Sequence, residues 1–238
     1  MSTESAIPVV RLEVVDSTND EARRRLDAGR HDSAFVVIAD EQTAGRGTRG
    51  RRWDSPPGAG VYLSLALPGG CWPLAGRGVD APAAAVGPPV QLVQTLAAGV
   101  ATAEALEQVF GVAPRIKPIN DLLVDGRKLA GILVETVVRG GAVASMTIGV
   151  GINLRGEGRA VGAEALPATS IEAIRRPPSA VTSEEQRRLE ALLTRRLTTW
   201  VDRAVREGPS VARDAWMHRV LPGSSWPGLP PDDDVPEA

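Results

Sequence analysis

Residues 122–134 read Leu122-Leu-Val-Asp-Gly-Arg-Lys-Leu-Ala-Gly-Ile-Leu-Val134, and this stretch decides the fold class. Asp125-Gly126 between two apolar runs is the strongest short hairpin signal, because both central residues of the tight turn need positive φ. Gly140-Gly141 then turns the chain into a further strand over 142–150, which ends at Gly149-Val-Gly-Ile-Asn153. Upstream, the continuous apolar run Ala34-Phe-Val-Val-Ile-Ala39 predicts a buried central strand. Val61, Leu63, Leu65 and Leu67 alternate with Tyr62, Ser64 and Ala66, the period of a strand. Helices fall between and after these runs. Thr18 and Glu21 have capping-box spacing ahead of Ala22 and Leu26, with a stop at Gly29. Leu92, Leu96, Val100, Ala103, Leu106 and Phe110 place one apolar stripe on a helix over 90–110, closed near Gly111. Ser183 and Gln186 repeat the capping-box spacing before a long helix that runs to Gly208-Pro209, with a short helix over 210–219. Helix, strands, helix, then an antiparallel hairpin and strand favour α+β over a doubly wound parallel sheet.

The chain has 238 residues, which at about 150 per domain predicts one large domain or one domain with a small appendage. Its 43% hydrophobic and 24% charged residues are those of a globular protein. No apolar run reaches the roughly 18 residues of a spanning helix, and Met1 to Ala6 lacks the basic and apolar regions of a signal peptide, so a cytoplasmic location is expected. One cysteine, Cys71, and two histidines, His31 and His218, exclude an internal disulfide and an ordinary His/Cys zinc site, and leave little for nucleophilic catalysis. Residues 68–89 hold too many Pro and Gly for a regular element and read as a surface excursion. Residues 221–238, Pro/Gly-rich and acidic at the end, read as a disordered tail.

With 27 Lys+Arg against 29 Asp+Glu the net charge is −2, so what matters is local charge. Arg46, Arg49, Arg51 and Arg52 are interleaved with Gly45, Gly47 and Gly50 in a loop that leaves one strand and returns into another. Guanidinium forks and bare N–H groups there suit an anion. A flexible basic loop or a weak RNA-binding segment is the plainer alternative. Lys128 opens an apolar strand face shared with Ala130 and Ile132, and so either snorkels outward or points into a pocket. Lys117, Asn120 and Asp121 suit a phosphate and its Mg²⁺, or equally an Asx-type turn. Gly149 to Asn153 lacks the third glycine of a dinucleotide fingerprint, and no Gly-x-x-x-x-Gly-Lys-Ser/Thr loop is present. Any nucleotide is therefore held in another way.

Five motifs taken in order resemble the bacterial biotin protein ligases: Ser17-Thr-Asn19, Gln42-Thr-Ala-Gly-Arg-Gly-Thr-Arg-Gly-Arg51, Lys117 to Asp121, Arg127-Lys-Leu-Ala-Gly-Ile-Leu133 and Gly149 to Asn153. The resemblance implies a catalytic domain like that of class II aminoacyl-tRNA synthetases, a mixed, mainly antiparallel sheet flanked by helices, over residues 1–220. It implies two steps, in which biotin and ATP, with Mg²⁺, give biotinyl-5′-AMP, and a lysine of a biotin carboxyl carrier protein then takes the biotinyl group. By resemblance Lys128, Arg46 and Lys117 are catalytic. Ser17, Thr18, Asn19, Gln42, Gly45, Arg46, Gly47, Thr48, Lys128 and Gly131 would bind biotin. Arg49, Arg51, Trp53, Asn120, Asp121 and Asn153 would bind ATP, with Asp121 serving the metal.

Three departures bear on turnover. Thr48 stands where the family usually has arginine, which removes a charge from retention of the adenylate. Lys117-Pro118-Ile119-Asn120-Asp121 replaces the usual Lys-Trp-Pro-Asn-Asp, and residues 221–238 stand in place of the family's small C-terminal β domain. The first biotin motif opens at Ser17, so no DNA-binding helix-turn-helix and no DNA partner are expected, and a monomer or weak homodimer is expected. The alternatives are a lipoate or octanoyl transferase of the same fold, or a biotin-binding or RNA-binding protein impaired in catalysis.

Overall fold

Asp125 and Gly126 have φ of 50° and 73°, as a tight hairpin turn requires. The computed structural model describes residues 7–69, 90–156 and 166–224, so the expectations for an excursion over 68–89 and a tail over 221–238 lie mostly outside them; at the described ends they are corrected, since Pro68 pairs with Ser145 in the sheet and the Leu221 N–H donates to the Ile116 carbonyl at 3.0 Å. In chain order the elements are β1 (Val9–Val15), α1 (Thr18–Asp27), β2 (Phe35–Gln42), β3 (Gly60–Pro68), α2 (Val90–Phe110), β4 (Arg115–Lys117), β5 (Asp121–Val124), β6 (Arg127–Arg139), β7 (Ala142–Asn153), α3 (Ile171–Ile174), α4 (Ser183–Arg206) and α5 (Pro209–Met217). The strands form one seven-stranded sheet ordered β1-β2-β3-β7-β6-β5-β4. Only the β1 to β2 pairing is parallel, so the sheet is mixed and mainly antiparallel, as expected.

Helices cover both faces. On β3 the residues Val61, Leu63, Leu65 and Leu67 enter the main core with α2 and α4, while Ala66 joins Phe35, Val37 and Ala22 beneath α1. This is why β2 and β3 are buried on both faces although β3 alternates in sequence. The single stripe expected on α2 is corrected to burial almost all round, because α2 packs on the sheet, on α4 and on α5 together. Its small residues permit this: Gly99 lets Ile116 and Trp216 approach, where an added Cβ would meet them at 3.4 and 3.9 Å. Thr95 and Thr102, buried there, return their hydroxyls to the carbonyls of Gln91 and Ala98 at 2.7 Å, which satisfies them inside the helix. No helix among the described residues is long and apolar enough to cross a membrane.

Three short or edge elements, β1, β4 and α3, carry no clear sequence signal. Both expected capping boxes change. At α1 the N-cap residue is Ser17 with no side-chain cap, because Thr18 is drawn inward to Gln42 and Glu21 pairs with Arg24 and Arg25. At α4 the box moves one residue: Thr182 accepts the Glu185 N–H at 3.1 Å and Glu185 accepts the Thr182 N–H at 2.8 Å. The sequence offers two overlapping registers, and the one with a carboxylate at the third position wins, since a charged acceptor bonds more strongly and suits the helix N-terminus. The Thr182 N–H in turn holds the Glu185 carboxyl below its ordinary value, with Arg175 adding to the effect. Thr182→Ala is expected to cost about 1 kcal/mol and to lower Tm by about 2–4 °C. Ser183→Ala should shift it by less than about 1 °C. Equal losses in a melting experiment would contradict the shifted cap.

Candidate functional site

Gly131 of β6 stands opposite Gly151 of β7, which stands opposite Tyr62 of β3; one pair along, Leu133, Gly149 and Ser64 are aligned. Directly opposed residues share a sheet face. The three glycines therefore leave bare backbone on the α1 side of the sheet, at its centre. Larger residues do not fit. A Cβ on Gly149 would lie 2.5 Å from Asn19 Oδ1, on Gly151 2.5 Å from Trp53 Cε2, and on Gly131 3.1 Å from Trp53 Cζ3.

A chain of polar side chains lines one end of this floor. Asn19 Nδ2 donates to Glu135 Oε2 at 2.8 Å, and Asn19 Oδ1 accepts from the Ser64 hydroxyl at 2.6 Å. Ser64 Oγ also lies 2.8 Å from Thr18 Oγ1. Gln42 Oε1 accepts from the Thr18 N–H at 2.8 Å and Gln42 Nε2 donates to Ser55 Oγ at 2.8 Å. Thr18, Asn19 and Ser64 are buried, so this chain is what satisfies them.

The arginine-glycine stretch is a structured hairpin rather than a flexible loop. Arg46 and Arg52 bridge, the Gly47 N–H donates to the Arg51 carbonyl at 2.7 Å, and the tip lies at 48–50. Arg51 donates to the Thr48 carbonyl and hydroxyl, and Arg52 to the Thr43 carbonyl. Among the described residues neither guanidinium has a carboxylate partner.

Trp53 follows the hairpin and lies over Gly151 and Gly131. Among the described residues its buried Nε1 has no hydrogen-bond partner, so packing holds the ring, with the Lys128 ammonium 5.2 Å from its centroid.

Lys128 reaches this floor through a bulge. Leu122 pairs with Ala130 while Leu123 pairs with Lys128, which leaves Leu129 over and reverses the alternation. The expectation that Lys128 shares a face with Ala130 and Ile132 is thereby corrected: those two enter the core, and Lys128 lies beside Gly131. Lys128 Nζ is 2.6 Å from Asp121 Oδ1, a pair whose side chains are 22% and 8% exposed. The backbone of Lys128 is fastened to the 167–169 segment by its N–H to Pro167 O at 2.7 Å and its carbonyl from Thr169 N–H at 2.9 Å. Asn153 Nδ2 donates to Thr169 O at 3.0 Å, on that same segment.

Of the residues expected at the site, Ser17, Thr18, Asn19, Gln42, Arg46, Gly47, Thr48, Arg51, Trp53, Asn120, Asp121, Lys128, Gly131 and Asn153 line this single cavity. Gly45, Arg49 and Lys117 do not. Gly45 is packed under the hairpin, where a Cβ would lie 2.5 Å from the Trp53 carbonyl. Arg49 sits at the exposed tip with φ of 60°. Lys117 pairs with Asp121 from β4, one strand further from the floor. Arg52, Leu133, Gly149, Gly151, Leu166 and Ala168 also line the cavity. Gly149 and Gly151 were visible in their motif as alternate small residues, and Ser64 as a polar residue on an apolar strand; Leu166 and Ala168 carry no local signal.

A sequence profile described as the biotin/lipoate A/B protein ligase family matches residues 12–153, more than half of the chain. The chain belongs to that family. It is 42% identical over 146 residues to the bifunctional ligase/repressor BirA of Escherichia coli, a match covering 61% of this chain and 40% of that protein. The chain thus spans about two fifths of that relative's length. It is 34% identical over 212 residues to the biotin–[acetyl-CoA-carboxylase] ligase of Paracoccus denitrificans, covering 86% of this chain and 78% of that one. A solved biotin protein ligase of Leishmania major, in complex with biotinyl-5-AMP, superposes with a TM-score of 0.66 at 24% identity, over 97% of this chain and 88% of that one. The last match shows the fold, and with it the expected ligase-like mixed sheet flanked by helices.

Gly151→Ala is expected to displace the Trp53 ring in the ligand-free protein, because the new methyl and the ring cannot share that space. Acrylamide quenching of tryptophan fluorescence, compared with a Trp53→Phe control, should show one indole newly accessible. Quenching like that of the unaltered protein would contradict the packing described.

Proposed function

We propose that this protein is a biotin–[biotin carboxyl-carrier protein] ligase that works in the cytoplasm. The observation that carries this reading is the convergence of sequence-distant motifs on one cavity over a floor that lacks side chains. In the first step the biotin carboxylate oxygen bonds to the α-phosphorus of ATP, the bond to the β-phosphate oxygen breaks, and pyrophosphate leaves. In the second, a lysine amine of the carrier domain attacks the acyl carbon and AMP leaves.

Bringing a carboxylate to a triphosphate opposes like charges, and preorganised cations lower that barrier without a protein nucleophile. Lys128 would contact the carboxylate and the α-phosphate, with Arg51 supplying charge from the hairpin. Ser17, Thr18, Asn19 and Gln42 would hold the polar head of biotin, with Gly47, Thr48 and Gly131 around it. Trp53, Asn120 and Asn153 would border the nucleotide. Arg49 and Lys117 would act on the phosphates only from outside the cavity wall described above.

Mg²⁺ would arrive on the triphosphate, where it neutralises phosphate charge. It commonly takes one or two carboxylates with phosphate oxygens, and Asp121 is the carboxylate beside Lys128 that fits that role. Among the described residues no group of three or more His, Cys, Asp or Glu forms a resident site.

The protein is expected to catalyse biotin-dependent exchange of labelled pyrophosphate into ATP, and to label an apo carrier domain on an avidin blot. Absence of both sinks the reading, and exchange driven better by lipoate or octanoate favours a transferase for those acids. Lys128→Gln should lower exchange by about 10²–10³-fold in a protein that still folds, with some loss of Tm because Asp121 loses its cation. Unaltered exchange in that variant would show that Lys128 does not have this role.

A further inference from the structure

Glu135 does not line the cavity, yet it meets two residues that do. Its carboxylate takes the Arg46 guanidinium by both oxygens, Nη1 to Oε1 at 2.9 Å and Nη2 to Oε2 at 2.6 Å. The same Oε2 accepts from Asn19 Nδ2 at 2.8 Å. Asp20 takes Arg46 Nη2 as well, at 3.0 Å. Arg46 therefore stands between two carboxylates. Burial works against its charge, but Glu135 and then Asp20 more than offset this, and the pKa is raised. An arginine committed in this way is a fixed strut rather than a free anion receptor, since its planar fork is already matched by a carboxylate.

The contact to Asn19 sets a direction. A carboxylate and the Leu133 carbonyl both face one end of the Asn19 amide, at 2.8 and 3.3 Å, and both are acceptors. Only the NH₂ end can face them, so Oδ1 must turn to Ser64. The Ser64 proton goes to Oδ1, which leaves Ser64 Oγ to accept from the Thr18 hydroxyl 2.8 Å away, while the Gln42 amide is set separately by the Thr18 N–H.

We infer that Glu135 is a positioning residue for the polar end of the cavity. Its one carboxylate fastens Arg46, and with it the 46–52 hairpin, to β6 and fixes which end of the Asn19 amide faces Ser64. The inference deepens the ligase reading, and rests on it only where biotin is named as the ligand of that end. Arg46 then acts by holding the hairpin down, with the charge for the phosphates supplied by Lys128 and Arg51.

The test uses the full chain with Glu135→Gln, Glu135→Asp, Arg46→Gln and the Arg46→Gln/Glu135→Gln double variant. Without ligand, trypsin should cut the 46–52 hairpin about tenfold faster in Glu135→Gln, since loss of a charge-assisted bidentate pair is of that size. In calorimetric titrations biotin affinity should fall about tenfold while ATP affinity stays within about twofold. Glu135→Asp should lose less than Glu135→Gln, and the double variant should be no weaker than the worse single one, because both disrupt one strut. Unchanged trypsin cleavage, additive losses, or equal falls in both affinities with a lowered melting temperature would each overturn the inference. If the unaltered protein binds no biotin, the ligase reading fails by itself, and the trypsin rates still decide the role of Glu135.

Discussion

A sheet covered by helices on both faces has no room for a ligand unless side chains are removed from it. Here they are removed at Gly131, Gly149 and Gly151, adjacent positions on β6 and β7. The space so made admits Asn19 from the start of α1 and Trp53 from the end of the hairpin, each in contact with glycine where a methyl group would not fit. The polar chain from Glu135 to Ser55 borders this space at one end, and the pair Lys128 and Asp121 at the other. The surrounding core can be tightly packed because the opening costs it nothing: Ala130, Ile132, Val150 and Ile152 point to the opposite face and fill it.

Charge at the site is divided by function. Among the described residues Arg46 is compensated by two carboxylates, Lys128 by one, and Arg51 and Arg52 meet neutral oxygens alone. In the proposed reaction a polyanion would meet Arg51 and Arg52 before Arg46, whose charge is already matched. There a triphosphate, with several charges, would compete with the Asp121 carboxylate for the Lys128 ammonium. In the proposed reaction Asp121 would then be available to the cation that accompanies the phosphates. The near-neutral whole molecule conceals this arrangement, because its carboxylates offset the cations that structure uses.

Much of this was legible in the sequence because it rests on backbone chemistry. Asp125-Gly126 demands positive φ whatever surrounds it, and the five motifs are contiguous. What was hidden depends on partners distant in the chain. The alternation along β6 places Lys128 in the core, and only the extra residue at Leu129 turns it to the floor. The α4 cap shifts by one residue because Thr182 and Ser183 both head a plausible box, and a carboxylate outcompetes an amide. β1 is an edge strand with Val14 56% exposed, so its sequence lacks the apolar signature of a buried one. Glu135 shares a strand face with Gly131, but nothing local shows that Arg46, 89 residues away, lies against it.

The most direct test of the glycine floor as a ligand seat is a crystal structure of the protein with biotinyl-5′-AMP. The biotinyl group is expected in van der Waals contact with the α-carbons of Gly131 and Gly149, its polar head at the Thr18 to Gln42 end and the phosphate on Lys128 Nζ. Ligand density at any other place, with Trp53 still over Gly131 and Asn19 still over Gly149, would contradict it.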